Sequence, residues 1–455
     1  MSNQENGMHR GLKNRHIQMI ALGGAIGTGL FYGSAATIEL AGPAITFSYL
    51  IGGLVIFFIM RMLGEMAVDE PVSGSFSHFA YKYWGEFPGF LSGWNYWFNY
   101  IVVSMAELTA VGIYVNFWFP DIPHWVTALI CLVFITLLNL ISVGTFGEFE
   151  FWFAIVKVVA IIGMIVFGLF LIFSGINGEA TGFDNLWIHG GFIPNGMIGI
   201  LFSLVPVMFS FGGIELIGIT AGEADNPKKS IPKAINQVMW RILIFYVGAL
   251  SVLMVIYPWN QVGADGSPFV MIFSKIGIPA AATILNVVVL TAALSVYNSG
   301  VYSNGRMLYS LAMQGNAPKI FGKLNKRGVP VAGVLVSSGI TLVAVILNFL
   351  LPGKIFMYLM AVAIIAAVIT WTTIIIVNLK FRKAKIAQGE GAAIEFKTPF
   401  HPYTNYFCAV FLVMIVILMA FTESMKMAVF VLPVWLLILW ISFKIKKSRE
   451  IKQKA

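Results

Sequence analysis

Apolar residues run in stretches of about twenty along nearly the whole chain, separated by short polar connections. A helix rising about 1.5 Å per residue needs that length to cross a hydrocarbon layer roughly 30 Å thick. The runs predict an all-α polytopic membrane protein with about twelve transmembrane spans, near 17–40, 43–66, 87–116, 125–142, 150–174, 197–222, 236–258, 279–303, 331–350, 355–378, 403–421 and 428–443. The polar start, 1–16, leads into a glycine-interrupted run without a small-residue cleavage site, so the first span is expected to be retained.

Composition excludes the main alternatives. With 58% of 455 residues hydrophobic and 11% charged, a soluble fold would have to expose helices that are apolar all round. The net charge of +9 does not point to nucleic acid, because the basic residues sit in connections and at the C-terminus rather than along one face. With the N-terminus placed in the cytoplasm, one side collects Arg10, Lys13, Arg15, Lys228, Lys229, Lys233, Lys319, Lys323, Lys326, Arg327, Lys380, Arg382, Lys383, Lys385 and the tail residues Lys444, Lys446, Lys447 and Arg449. The other side holds little beyond Lys275, Lys354 and Lys426, an asymmetry that predicts both termini to be cytoplasmic. Trp118, Trp125, Trp187, Trp259 and Trp435 fall near span ends, as interfacial anchors do. Cys131 and Cys408 lie in apolar runs, and no metal-ligand spacing or nucleophile motif appears, so no metal, cofactor or enzyme chemistry is expected. Repeated polar rings, which a channel would need, are also lacking.

Two spans carry glycine clusters at mid-depth. The first contains Gly23-Gly24-Ala25-Ile26-Gly27-Thr28-Gly29, and the sixth contains Phe209-Ser210-Phe211-Gly212-Gly213-Ile214-Glu215. Each opens a five-span half, the pattern of inverted repeats with discontinuous helices at the binding site. Interrupted helices free N–H groups and carbonyls that lipid cannot satisfy and a zwitterion can. The N–H groups at Gly27, Thr28 and Gly29 are candidates for an α-carboxylate, and carbonyls near Ala25, Phe209 and Gly212 for an α-ammonium. Close helix packing through small residues is the competing explanation.

Glu107, Lys157 and Glu215 are the charges read as lying well inside apolar runs, each costing several kcal/mol unless paired or hydrated. Lys157 either snorkels to the cytoplasm or faces the bundle, where it is a proton carrier that bridges carbonyls as a sodium ion would. Glu107 shares a helix face with Tyr100 and Ser104, a stripe expected to line a side-chain pocket with Ile26, Phe209, Ser210 and Phe211; for Glu107 and Glu215 a purely structural hydrogen bond is the alternative.

Longer motifs carry a resemblance. His16 through Gly29, Glu70-Pro71-Val72-Ser73-Gly74-Ser75-Phe76, Gly93-Trp94-Asn95-Tyr96-Trp97, Glu223-Ala224-Asp225-Asn226-Pro227 through Ala234, and Ser303-Asn304-Gly305-Arg306-Met307 through Lys319 resemble, in order, the amino acid transporter family of the amino acid-polyamine-organocation superfamily. Met105 through Ala110 and Leu294 through Ser303 look most like its bacterial aromatic amino acid and phenylalanine permeases. Gly305 stands where close relatives commonly have serine.

The resemblance implies a leucine-transporter-type fold with inverted repeats at 17–174 and 175–378, a linker at 379–402, two further helices at 403–443 and a cytoplasmic tail at 444–455. It further implies that Thr28 and its glycines hold the substrate backbone, that Phe209 gates the site and that Lys157 replaces a cation site. The expected function is proton-driven import of an aromatic amino acid through the inner membrane, with lipid, substrate and protons as partners. Proline, histidine, lysine or 4-aminobutyrate is the alternative substrate.

Overall fold

The computed structural model describes residues 15, 16, 18, 19, 26–72, 74–174, 182–221, 226–262, 266–350 and 355–454. The expectation for Ala25 falls outside them. No strand occurs among the described residues, and nine helices there are long and apolar enough to cross a membrane. Two shorter apolar helices accompany them.

In chain order the elements are α1 (Thr28–Phe31), α2 (Ser34–Ala41), α3 (Ile45–Asp69), α4 (Ser75–Tyr83), α5 (Glu86–Asn116), α6 (His124–Asn139), α7 (Val143–Ser174), α8 (Gly196–Phe209) and α9 (Leu216–Thr220). They continue with α10 (Pro227–Ile256), α11 (Pro268–Lys275), α12 (Pro279–Met313), α13 (Val331–Leu350), α14 (Ile355–Ala387), α15 (Tyr403–Ala420) and α16 (Lys426–Lys454). Proline opens α10, α11 and α12, where its missing N–H is one the helix would leave unpaired anyway.

Helix α5 lies at the centre, packed along α12 on one side and α14 on the other. It buries residues on every face, from Asn95 and Tyr96 to Glu107 and Leu108, so its polar side chains must be satisfied by neighbouring helices rather than by water. Around this core α3 packs against α8 and α10, and α7 against α10 and α12, while α16 keeps most of its surface outward.

Several boundaries differ from expectation. The fifth span begins at Val143 rather than 150, which brings Glu150 inside a helix. The tenth runs on to Ala387, so residues 379–387 of the expected linker are helical. The expected tail continues α16 as helix and returns to the bundle, where Lys447 pairs with Glu86 at the start of α5. These apolar-to-polar extensions persist because the basic residues find acidic partners where the helix ends converge.

The remaining linker is fixed by Glu65. This fully buried carboxylate accepts hydrogen bonds from Arg382 and, at 2.7 Å, from the Thr398 backbone N–H. Lys385 pairs with Asp69 at 3.0 Å one turn further on. Removing one partner of a buried ion pair leaves the other charge uncompensated, typically at about 3–5 kcal/mol. Glu65→Ala is therefore expected to destabilise the detergent-solubilised protein by about 3 kcal/mol, read as a lower midpoint in thermal unfolding. An unchanged midpoint would remove the linker clamp.

Candidate functional site

Both glycine-rich spans are interrupted. Ile26 and Gly27 are non-helical, Gly27 is extended at φ −134° and ψ −152°, and helix resumes at Thr28. Its first backbone bond is Phe31 N–H to Gly27 O, which leaves the N–H groups of Gly29 and Leu30 without partners inside the helix. The positive end of a helix dipole adds to them, although four residues supply only a short one.

In the sixth span α8 stops at Phe209, one turn beyond Pro206, whose ring removes an intrahelical donor. Ser210, Phe211 and Gly212 each bond to the carbonyl three residues back, and Gly213 at φ 94° turns the chain before α9 starts at Leu216. A side chain at that φ would be strained. The two interruptions touch: a Cβ on Gly29 would lie 2.5 Å from Ser210 Cα.

A narrow cavity lies where they meet, with Gly27 and Gly29 on one wall and Phe209 and Gly212 on another. Asn99, Val103 and Glu107 of α5 form a third wall, and Val296 of α12 with Ala363 and Ala367 of α14 completes it. Its volume of ≈ 20 Å³ holds little more than one water molecule. A larger guest enters only if the helices part.

The expected α5 stripe is off by one row. The cavity takes Asn99, Val103 and Glu107, at intervals of four, whereas Tyr100 and Ser104 turn toward α12 and pack against Gly300. A helix buried all round carries polar residues on more than one face, so spacing alone selects no single row. Phe211 also points away, against Tyr49 and Tyr246, because two residues of tight turn put it opposite Phe209. Ser210 is held by Tyr49, whose hydroxyl is 2.9 Å from its Oγ, and by Tyr246, whose hydroxyl donates to its carbonyl at 3.0 Å.

Glu107 stands over the restart of the first span. Its Oε1 accepts the Thr28 hydroxyl at 2.8 Å, while Oε2 has no hydrogen-bond partner among the described residues. Thr28 thus contributes its side chain and not only its backbone. Glu215 is fully buried where α9 begins, faces the Trp371 indole of α14 and makes no hydrogen bond through either oxygen among the described residues.

Lys157 faces the bundle. It is fully buried, and its Nζ donates to Ile26 O at 3.3 Å and to Ser295 Oγ of α12 at 2.8 Å. It therefore ties the interrupted backbone of the first span to α7 and α12. Nζ also lies 4.0 Å from Glu150 Oε1. Sequence reading missed Glu150, the first residue of the expected fifth span. Its position seven residues before Lys157, two turns along one helix face, was the available signal.

Interrupted helices around buried charges, inside a sheath of long apolar helices, define a polytopic membrane protein with a candidate site in the bundle interior. The chain belongs to the amino acid permease family, whose model matches residues 16–455. It is 54% identical over 456 residues to the aromatic amino acid transport protein AroP of Escherichia coli K12, covering 99% of both chains. The AroP protein of Salmonella typhimurium LT2 is likewise 54% identical over 457 residues, covering 100% of each. The uncharacterized amino acid permease YtnA of Bacillus subtilis is 53% identical over 441 residues, covering 96% of this chain and 95% of its own. The chain is thus a transporter of amino acids, not an enzyme, and its site binds and moves a substrate without changing it.

The contact of Gly29 with Ser210 is backbone to backbone, so a methyl group there cannot be absorbed by a flexible side chain. Gly29→Ala is expected to introduce about 1–3 kcal/mol of overpacking strain and to reduce amino acid uptake by about tenfold or more at normal membrane levels. Wild-type uptake rates in this variant would show that the two interruptions need not approach so closely.

Proposed function

We propose that the chain imports aromatic amino acids across the bacterial cytoplasmic membrane in symport with protons, by alternating access. The reading places both termini in the cytoplasm and twelve spans in the membrane: two inverted five-span repeats, 17–174 and 175–378, then a linker and two flanking helices. Lipid surrounds the bundle, and no cofactor takes part.

One observation carries the coupling: Lys157 Nζ bonded to the carbonyl at the interruption of the first span. Charge-assisted hydrogen bonds contribute about 1.5–3 kcal/mol, more than neutral ones. Loss of the lysine proton weakens the tie between the first span, α7 and α12 and permits the cytoplasmic side to open. Since the same span supplies one wall of the cavity, substrate and proton act on one movable element.

Substrate recognition follows from the cavity walls. The backbone at Gly27 and Gly29 suits the α-carboxylate, and Glu107 on the neighbouring wall supplies a countercharge for the α-ammonium. Val103, Met208, Phe209, Val296 and Ile364 make the rest largely apolar, and among the described residues the lining holds no second carboxylate for a cationic side chain. Phe209 meets Phe356 edge to face at 6.0 Å, and Phe356 meets Tyr32 at 4.7 Å, an aromatic layer on the extracellular side in this topology. A substrate ring takes its place in that layer by edge or offset contacts. The names of the AroP relatives support the same substrate class.

Two measurements test this. Labelled phenylalanine uptake should be competed by tyrosine and tryptophan and little by proline, histidine, lysine or 4-aminobutyrate; the reverse order would reassign the substrate. Lys157→Met should lose accumulation and its dependence on external pH while still inserting, and retained pH-driven accumulation would refute the coupling. Glu107→Gln keeps the shape but not the charge, and is expected to raise KM about tenfold, roughly 1.4 kcal/mol, in uptake kinetics. An unchanged KM would place the ammonium elsewhere.

A further inference from the structure

Glu150 is a fully buried carboxylate to which neither the cavity nor substrate recognition gives a role. Its Oε1 accepts the hydroxyl proton of Ser295, and the same hydroxyl oxygen accepts from Lys157 Nζ at 2.8 Å. Three groups from two helices thus form an ordered chain, ammonium to hydroxyl to carboxylate. The Lys157 and Glu150 termini lie 4.0 Å apart although their Cα atoms are two turns, about 10 Å, apart along α7. Both long side chains reach toward one point beside Ser295.

Simple neutralisation of Lys157 does not account for this arrangement. A buried pair held for stability alone gains most from direct contact, because the desolvation cost of two ions is offset only by close geometry. Here a hydroxyl that both donates and accepts stands between them. Serine is the smallest side chain able to pass a proton in this way.

The surroundings favour movement toward the cytoplasm. From α12, Asn298 and Ser299 face the Glu150 carboxylate, and Asn139 of α6 holds the Asn298 amide by donating to its oxygen at 2.8 Å. Tyr100 of α5 lies in the field of Glu150, while Glu107 of α5 and Arg241 of α10 act on Lys157. Two residues before Glu150, Glu148 is half exposed and pairs with Arg15 and with the His16 ring, 3.1 Å away. The path from Lys157 through Glu150 therefore descends α7 toward a polar, water-accessible end.

We propose that Glu150 and Ser295 relay the coupling proton from Lys157 to the cytoplasm. A proton leaves Lys157 Nζ for Ser295 Oγ as the Ser295 hydroxyl proton passes to Glu150 Oε1. The products are a neutral amine, an unchanged serine and a neutral carboxylic acid, so two opposite charges disappear together. Cytoplasmic water then removes the proton from Glu150 as the inner side opens. Glu150 and Ser295 are positioning and relay groups; neither touches substrate.

The inference rests on proton symport through Lys157, and its test separates the two. Purified protein in proteoliposomes, with a trapped pH-sensitive dye, reports labelled phenylalanine accumulation, accompanying proton entry and phenylalanine exchange in preloaded vesicles. Exchange needs substrate movement but no net deprotonation. Glu150→Gln and Ser295→Ala are expected to keep exchange within about twofold of wild type and to lose at least about tenfold in accumulation and proton entry. Ser295→Thr, which restores the hydroxyl, should recover both.

Normal accumulation and proton entry in Ser295→Ala and Glu150→Gln, with Lys157→Met still uncoupled, would overturn the relay and leave symport standing. No substrate-linked proton entry in the wild type would overturn symport itself. Should Glu150→Gln fail to insert, the serine pair alone decides, since equal coupling in Ser295→Ala and Ser295→Thr excludes a hydroxyl relay.

Discussion

Backbone polar groups released inside hydrocarbon must find partners within the protein, and this requirement organises the molecule. Continuous helices satisfy it internally. The two interrupted spans do not, and the partners they find are Lys157 at the carbonyl of Ile26, Glu107 on the Thr28 hydroxyl at the helix restart, and Tyr246 on the carbonyl of Ser210. In the proposed transport cycle, the groups that rescue a broken helix are the ones for which an amino acid and a proton compete.

Buried charge follows the same logic. Glu107, Glu150, Glu215 and Lys157 are among the charged side chains removed from solvent within the bundle. Each would be prohibitive in lipid, and each is placed against a dipole, hydroxyl, indole or opposite charge instead. The satisfaction is incomplete, since Glu107 Oε2, Glu150 Oε2 and both oxygens of Glu215 make no hydrogen bond among the described residues. A fully satisfied network would rigidify the core, whereas this one leaves polar capacity unused.

Closeness is the second constraint. Gly29 lets the two interruptions touch, and a cavity of ≈ 20 Å³ remains between them. Close-packed helices do not deform continuously, so admission of an amino acid requires the walls to shift as units. The long α5, α12 and α14 pack along one another, and the shorter α1, α8 and α9 carry the two interruptions.

Apolar run length determined the helical membrane fold, because uninterrupted runs of about twenty residues match the rise of a helix across hydrocarbon and not the short alternating strands of a barrel. Glycine clustering located both interruptions, since four glycines in seven residues have little to offer a continuous helix. The direction faced by each polar side chain was decided only by packing. Lys157 was equally compatible with snorkelling until α12 supplied Ser295 and the first span supplied the Ile26 carbonyl. Tyr100 was expected to line the pocket, but it packs against Gly300 and the cavity takes Asn99 instead. Glu150 stood at the expected start of its span, and helix α7, beginning at Val143, carries it inside. Local sequence specifies which helices form, but a helix buried on all sides has no solvent face to orient it, so its rotation is fixed by distant residues.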